Sequence, residues 1–177
     1  SVERSQHVGL IKTHSFDNLV TDSAAAGTAM SSGVKTYNRV VGLDEKFSPV
    51  NTILEICRDK GYMTAIIATS TIVHATLASY YSKVKSRYEY DEIASQLSKS
   101  NINFFIGGGE KFFNDRSDKR NLINEMNDYF FANSLESFKK MNSNKIGFLI
   151  SYDDPIGKHE GRKPSLEDLV QMTIEKL

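Results

Sequence analysis

Three short, largely apolar runs constrain this chain more than any other feature. They are "MTAIIATS" (63–70), "INFFIGGG" (102–109) and "NKIGFLIS" (144–151), rich in β-branched and aromatic residues. A strand with one face in water alternates apolar and polar side chains. A run that is apolar at nearly every position belongs to a sheet covered on both faces. The stretches between the runs have helical character. "TILEICRDKG" (52–61) carries a Thr52–Glu55 capping box and Gly61 as a terminator. "EYDEIASQLSKS" (89–100) and "NLINEMNDY" (121–129) read as helices, and "PSLEDLVQMTIEKL" (164–177) as another, with Pro164 ahead of a Ser165–Asp168 cap. "GLIKT" (9–13) and "RVVGL" (39–43) read as short strands. The alternation predicts an α/β fold: a mainly parallel sheet with helices on both faces. In such folds ligands collect beyond the carboxyl ends of strands. The loops after 63–70 and 102–109, and the turn into a helix at Ser23, are therefore the places to look for chemistry.

Charge narrows the function classes. Acidic and basic residues balance at 22 each, which leaves no global field for nucleic acid or an anionic membrane. The one basic cluster, "NDRSDKR" (114–120), alternates signs and reads as a solvated loop. No apolar run reaches the length of a membrane span. The lone Cys57 cannot form an intramolecular disulfide, and that says little about compartment.

The stretch "VTDSAAAGTAMSSGVKTYN" (20–38) puts Asp22 and Ser23 at the head of an alanine-rich helix that should run to Ser32 and end at Gly33. The ordinary reading is a helix cap, with Asp22 satisfying the first free amides. The functional reading is a nucleophile. A helix N-terminus favours an anion, but that alone does not deprotonate serine; a base or a metal is needed. The nearest histidine in sequence, His14, lies on an extended segment, and no nucleophile elbow is present. Metal activation is the more economical route.

The same stretch resembles the nucleophile segment of alkaline phosphatases, whose pattern is Val-Thr-Asp-Ser-Ala-Ala-x-x-Thr-Ala followed by Gly-Val-Lys-Thr. Three further stretches are similar to that family in the same order: 49–87 ending in Ser-Arg, "INFFIGGGEKFF" (102–113), and "PSLEDLVQMTIEKL". Residues 114–163 match poorly and form a variable region within what reads as one partial domain over 1–177. The resemblance implies that Ser23 is a nucleophile that is phosphorylated and then dephosphorylated by water. It implies two zinc ions and one magnesium ion, with Ser23 a zinc ligand, Thr76 a magnesium ligand, and His74 at a position that is aspartate or histidine in the family. It implies that Arg87 binds phosphate through two parallel hydrogen bonds and that Asp22 orients Arg87. Imidazole at position 74 should weaken magnesium and suit zinc better; a histidine without a metal contact is the competing reading. Thr76 could equally cap the helix after it. Leu77 and Met30 depart from the family pattern, in loop rigidity and packing only.

The family's other metal ligands fall in an Asp-x-x-x-His motif, an Asp-His pair and a late histidine. Neither the motif nor the pair occurs here, and His7, His14, His74 and His159 are all unpaired. The cluster of His159 with Asp153, Asp154 and Glu160 reads as a solvated loop, since its spacing fits no regular metal site. The chain, which opens Ser1-Val2-Glu3 and shows no signal peptide, is therefore expected to be an internal piece of an alkaline phosphatase, with little activity by itself. The resemblance also implies small phosphate monoesters as substrates, no nucleic-acid partner, a homodimeric parent, and export to the periplasm or cell exterior. A phosphodiesterase of the wider superfamily, or a non-catalytic α/β module, are the alternatives.

Overall fold

The computed structural model describes residues 6–177. The elements in chain order are α1 (Ser23–Ser32), α2 (Ile53–Asp59), β1 (Ala65–Thr71), α3 (Ala75–Ala78), α4 (Tyr90–Ser98), β2 (Phe104–Gly108), α5 (Lys111–Asn114), α6 (Leu122–Glu125), β3 (Phe130–Ala132), α7 (Leu135–Lys140), β4 (Ile146–Leu149), a 3-10 turn (Lys158–Glu160) and α8 (Leu166–Ile174). The four strands form one sheet in the order β1-β2-β4-β3. Every pairing is parallel, with Ala65 opposite Phe104, Phe104 opposite Ile146 and Phe130 opposite Ile146.

Helices cover both faces, as the continuous apolar runs require. Successive side chains of a strand point to opposite faces. Phe105 of β2 therefore packs with Ile93, Leu97, Phe113 and Leu122 from α4, α5 and α6, while Phe104 and Ile106 pack with Phe138 of α7 and with Leu169 and Met172 of α8. All three β2 side chains are fully buried. Each contributes about 1.5–3 kcal/mol relative to exposure. Gly147 on β4 leaves room for two rings: a Cβ there would stand 2.5 Å from Phe105 and 2.7 Å from Phe131.

The caps hold as expected for α2 and α8, where Thr52–Glu55 and Ser165–Asp168 make reciprocal capping boxes. Four local expectations need correction. Residues 9–13 are exposed and carry no ladder, because no described strand lies beside them to accept their hydrogen bonds. In 39–43 only isolated bridges form, Val41 to Val84 and Leu43 to Pro49. The ladder breaks because Arg39 (φ 74°) and Gly42 (φ 64°) adopt left-handed conformations. The helix expected over 121–129 stops at Glu125, where Met126 leaves helical geometry. The cluster at 114–120 is a mostly exposed loop, as expected, but Arg116 departs from that reading: its side chain is only 3% exposed. Its guanidinium donates to Asp118 and to the carbonyls of Asp91 and Phe112.

Candidate active site

The site begins with why α1 starts where it does. Asp22 is extended and its Oδ1 accepts from the Ala25 N–H at 2.9 Å, which caps the helix and leaves Ser23 as its first residue. Gly33 closes the other end in the left-handed conformation, φ 76°. The core side of α1 is made of small residues because α3 lies against it. A Cβ at Gly27 would meet Ser79 Oγ at 2.7 Å and the Thr76 carbonyl at 3.3 Å. Ser31 Oγ donates to the Ser79 carbonyl at 2.7 Å, which ties the two helices where both are buried.

Asp22 is a junction. Its backbone N–H donates to Asn38 Oδ1 at 3.0 Å, and its Oδ2 accepts from the Arg39 N–H at 3.0 Å. The bridge between Val41 and Val84 then carries the chain so that the Arg87 N–H donates to the Arg39 carbonyl at 2.7 Å. Arg87, 64 residues from Ser23 in sequence, is thereby delivered to the head of α1. Its Nη1 donates to Ser23 Oγ at 2.7 Å and to Asp22 Oδ2 at 3.1 Å. Both charged side chains are about a quarter exposed. The arrangement places a guanidinium against a hydroxyl that also lies in the positive field of a helix N-terminus. No histidine hydrogen-bonds Ser23 among the described residues; the contact to its Oγ comes from Arg87.

His74 and Thr76 lie beyond the carboxyl end of β1. His74 is the N-cap of α3, with no side-chain capping bond; Thr76 is inside the helix, so the cap that Thr76 could have formed is not made. The Thr76 side chain is exposed. The four acid and histidine residues read from sequence as one solvated cluster are in fact divided. Asp153 pairs with Lys111 at 2.8 Å, and that bond holds its carboxyl below the usual range. His159 faces Glu160 at 4.0 Å. Asp154 instead crosses to β1 and α3, where Oδ1 accepts from the Thr71 N–H at 2.8 Å and from Thr71 Oγ1, and Oδ2 stands 3.6 Å from His74 Nε2. Sequence spacing could not show this contact, because the two residues are 80 positions apart.

As donors for a metal, Ser23, Thr76, His74 and Asp154 are the right kinds of group: oxygens for a hard cation, an imidazole for a softer one. Their number falls short. Among the described residues no three histidine, cysteine or carboxylate side chains come together as a metal site. A cavity of about 630 Å³ lined by Leu149, Lys158, Arg162 and Lys163 contains none of the residues above.

A parallel sheet with helices on both faces, and with serine, aspartate and arginine gathered at one helix head, defines the chain as an α/β protein. Comparison with known proteins narrows it. The family model for alkaline phosphatase matches residues 1–177, and the chain belongs to that family. Alkaline phosphatase 4 of Bacillus subtilis is 36% identical over 96% of this chain and 39% of its own length. The repressible alkaline phosphatase of Saccharomyces cerevisiae is 30% identical, over 96% of this chain and 35% of its own. The solved structure of alkaline phosphatase from the Antarctic bacterium TAB5 superposes with a TM-score of 0.89 at 34% identity, covering 96% of this chain and 51% of that one. Variants of the same enzyme with histidine replaced by aspartate or glutamate have been solved with magnesium bound in the M3 site. The chain thus spans between 35% and 39% of the length of these two curated relatives.

Proposed function

We propose that this chain carries the nucleophile and phosphate-binding arginine of a phosphate monoester hydrolase acting through a phosphoserine at Ser23. The observation that carries the reading is the 2.7 Å contact between Arg87 Nη1 and Ser23 Oγ, fixed from behind by Asp22. Ser23 Oγ gives up its proton to solvent and attacks phosphorus in line; the phosphorus–ester oxygen bond breaks as the new bond forms, and the departing alcohol oxygen takes a proton from solvent. Water then attacks the phosphoserine, the phosphorus–Oγ bond breaks, inorganic phosphate leaves, and Oγ regains a proton from the attacking water. Arg87 swings its donors from the free hydroxyl to two non-bridging oxygens of the bound phosphate, and Asp22 keeps the guanidinium planar to them. The N-terminal amides of α1 add positive potential where charge gathers. Zinc and magnesium, when bound, lower the pKa of a ligated hydroxyl and neutralise phosphate charge. Ser23, Thr76 and His74 are the donors we assign to them, and further ligands are required to close the sites. Small phosphate monoesters are the substrates, and an exported homodimer is the expected form of the whole enzyme. No described helix is long and apolar enough to cross a membrane.

The decisive experiment is to load the whole enzyme with zinc and magnesium, offer p-nitrophenyl phosphate, quench in acid and map covalent phosphate by mass spectrometry. Phosphate on Ser23, absent from Ser23→Ala, is the expected result. Turnover of phosphodiesters in preference to monoesters would favour the diesterase reading. Phosphate on no residue, with the remaining family ligands supplied, would favour a non-catalytic module.

A further inference from the structure

The contact between Asp154 and His74 joins the segment after β4 to the loop after β1. The segment 151–155 is seated on the glycines that end β2. A Cβ on Gly108 would lie 2.6 Å from the Asp153 carbonyl and 2.6 Å from Pro155 Cδ, so only glycine admits the segment. Gly109, at φ 91°, donates its N–H to the carbonyls of Ser151 and Asp153. This seat sends the Asp154 side chain to the end of β1. One oxygen is consumed there by Thr71, through its N–H and its hydroxyl. The other, Oδ2, has no hydrogen-bond donor among the described residues and faces His74 Nε2 at 3.6 Å, just beyond hydrogen-bond length. His74 does not cap its own helix, and its ring is otherwise flanked by Tyr90, centroids 6.3 Å apart.

We infer that Asp154 is a positioning residue for His74: its carboxylate draws the imidazole proton to Nε2 and so presents the Nδ1 lone pair to a cation. A neutral imidazole donates from one nitrogen and accepts at the other, so the partner of one ring nitrogen decides the chemistry of its opposite. Carboxylates that accept from the far nitrogen of a ligating histidine fix its tautomer and raise its basicity. The inference rests on the reading of His74 as a metal donor only for its consequence; the tautomer itself follows from the Asp154 contact.

The test is nitrogen NMR of the metal-free 177-residue chain with labelled histidine, in alkaline buffer where imidazole is neutral. The native chain should show His74 with its proton on Nε2. Asp154→Asn keeps an oxygen for Thr71 but turns an NH2 toward Nε2, which must then accept, so the proton should move to Nδ1. Asp153→Asn, whose partner is Lys111, should leave the tautomer unchanged. Identical tautomers in the native chain and in Asp154→Asn would overturn the inference, even where both chains are fully folded. Asp154→Glu should restore the native pattern if the charge, and not the packing of the segment, is responsible. Titration with zinc alone provides the separate check on His74. A shift of Nδ1, weakened about tenfold in Asp154→Asn, supports both readings. An inverted tautomer without any zinc response would overturn the donor role of His74 and leave Asp154 as its positioning partner.

Discussion

At the scale of single residues, the hydroxyl of Ser23 is set apart by its neighbour. An ordinary first-turn serine faces water or its own helix, whereas Ser23 Oγ accepts from a guanidinium that is itself anchored on a carboxylate. Removing the hydroxyl costs little stability because Asp22, not Ser23, caps α1. Ser23→Ala should therefore unfold within about 0.5 kcal/mol of the native protein while the loaded enzyme loses on the order of 10³-fold or more in kcat, measured by denaturant melts and p-nitrophenyl phosphate turnover. Arg87→Lys keeps the charge but loses the planar pair of donors. It should raise KM for the ester and the inhibition constant of inorganic phosphate by about tenfold, with kcat less affected. An unchanged phosphate constant would remove Arg87 from the binding site.

At the scale of elements, the site depends on two close approaches that only glycine permits. Gly27 lets α3 lie on α1, and a larger side chain would meet the Ser79 side chain and the Thr76 carbonyl. Gly27→Val should force the helices apart and cost about 1–3 kcal/mol, read as a lower melting temperature. Gly108 lets the segment 151–155 lie on the end of β2. Gly108→Ala should lift that segment, because two of the three atoms it would strike belong to the backbone of Asp153 and the ring of Pro155. The expected signature is faster amide exchange at Gly109 and Glu110, whose N–H groups bond to this segment, with the exchange of β4 itself little changed. Slow exchange throughout would show that the glycine is dispensable.

At the scale of the whole molecule, Arg116 ties the variable region to α4 and α5 by donating to the carbonyls of Asp91 and Phe112, and Asp118 within the same region holds its guanidinium. Arg116 is buried and bonded to Asp118 at 2.5 Å. This hydrogen bond lowers the Asp118 carboxyl from its ordinary value near 3.8 to about 2. A carboxyl whose folded pKa is depressed adds stability that is complete above its unfolded value and lost as pH falls toward the folded one. Melting temperatures should therefore fall between about pH 4 and pH 2 more steeply in the native protein than in Asp118→Asn. Curves that stay parallel across that window would show that the pair contributes nothing. The proposed metal donors also belong to this scale. With fewer than three histidine, cysteine or carboxylate ligands brought together among the described residues, the 177-residue chain given zinc and magnesium should hydrolyse p-nitrophenyl phosphate orders of magnitude more slowly than a full-length relative.

The sequence by itself determined the class of fold and the head of α1. Continuous apolar runs such as "INFFIGGG" admit little except a strand buried on both faces, and Asp22 and Gly33 mark the limits of their helix through local backbone chemistry alone. Periodicity failed where elements are too short to have a period, as for Phe130–Ala132, or where left-handed residues such as Arg39 interrupt a run that is otherwise strand-like. Charge pattern failed at Arg116, because burial depends on what packs above it. The meeting of Ser23 with Arg87, and of His74 with Asp154, was decided by tertiary structure only. Each contact spans more than 60 residues and depends on bridges, cradles and crossovers that local spacing does not encode.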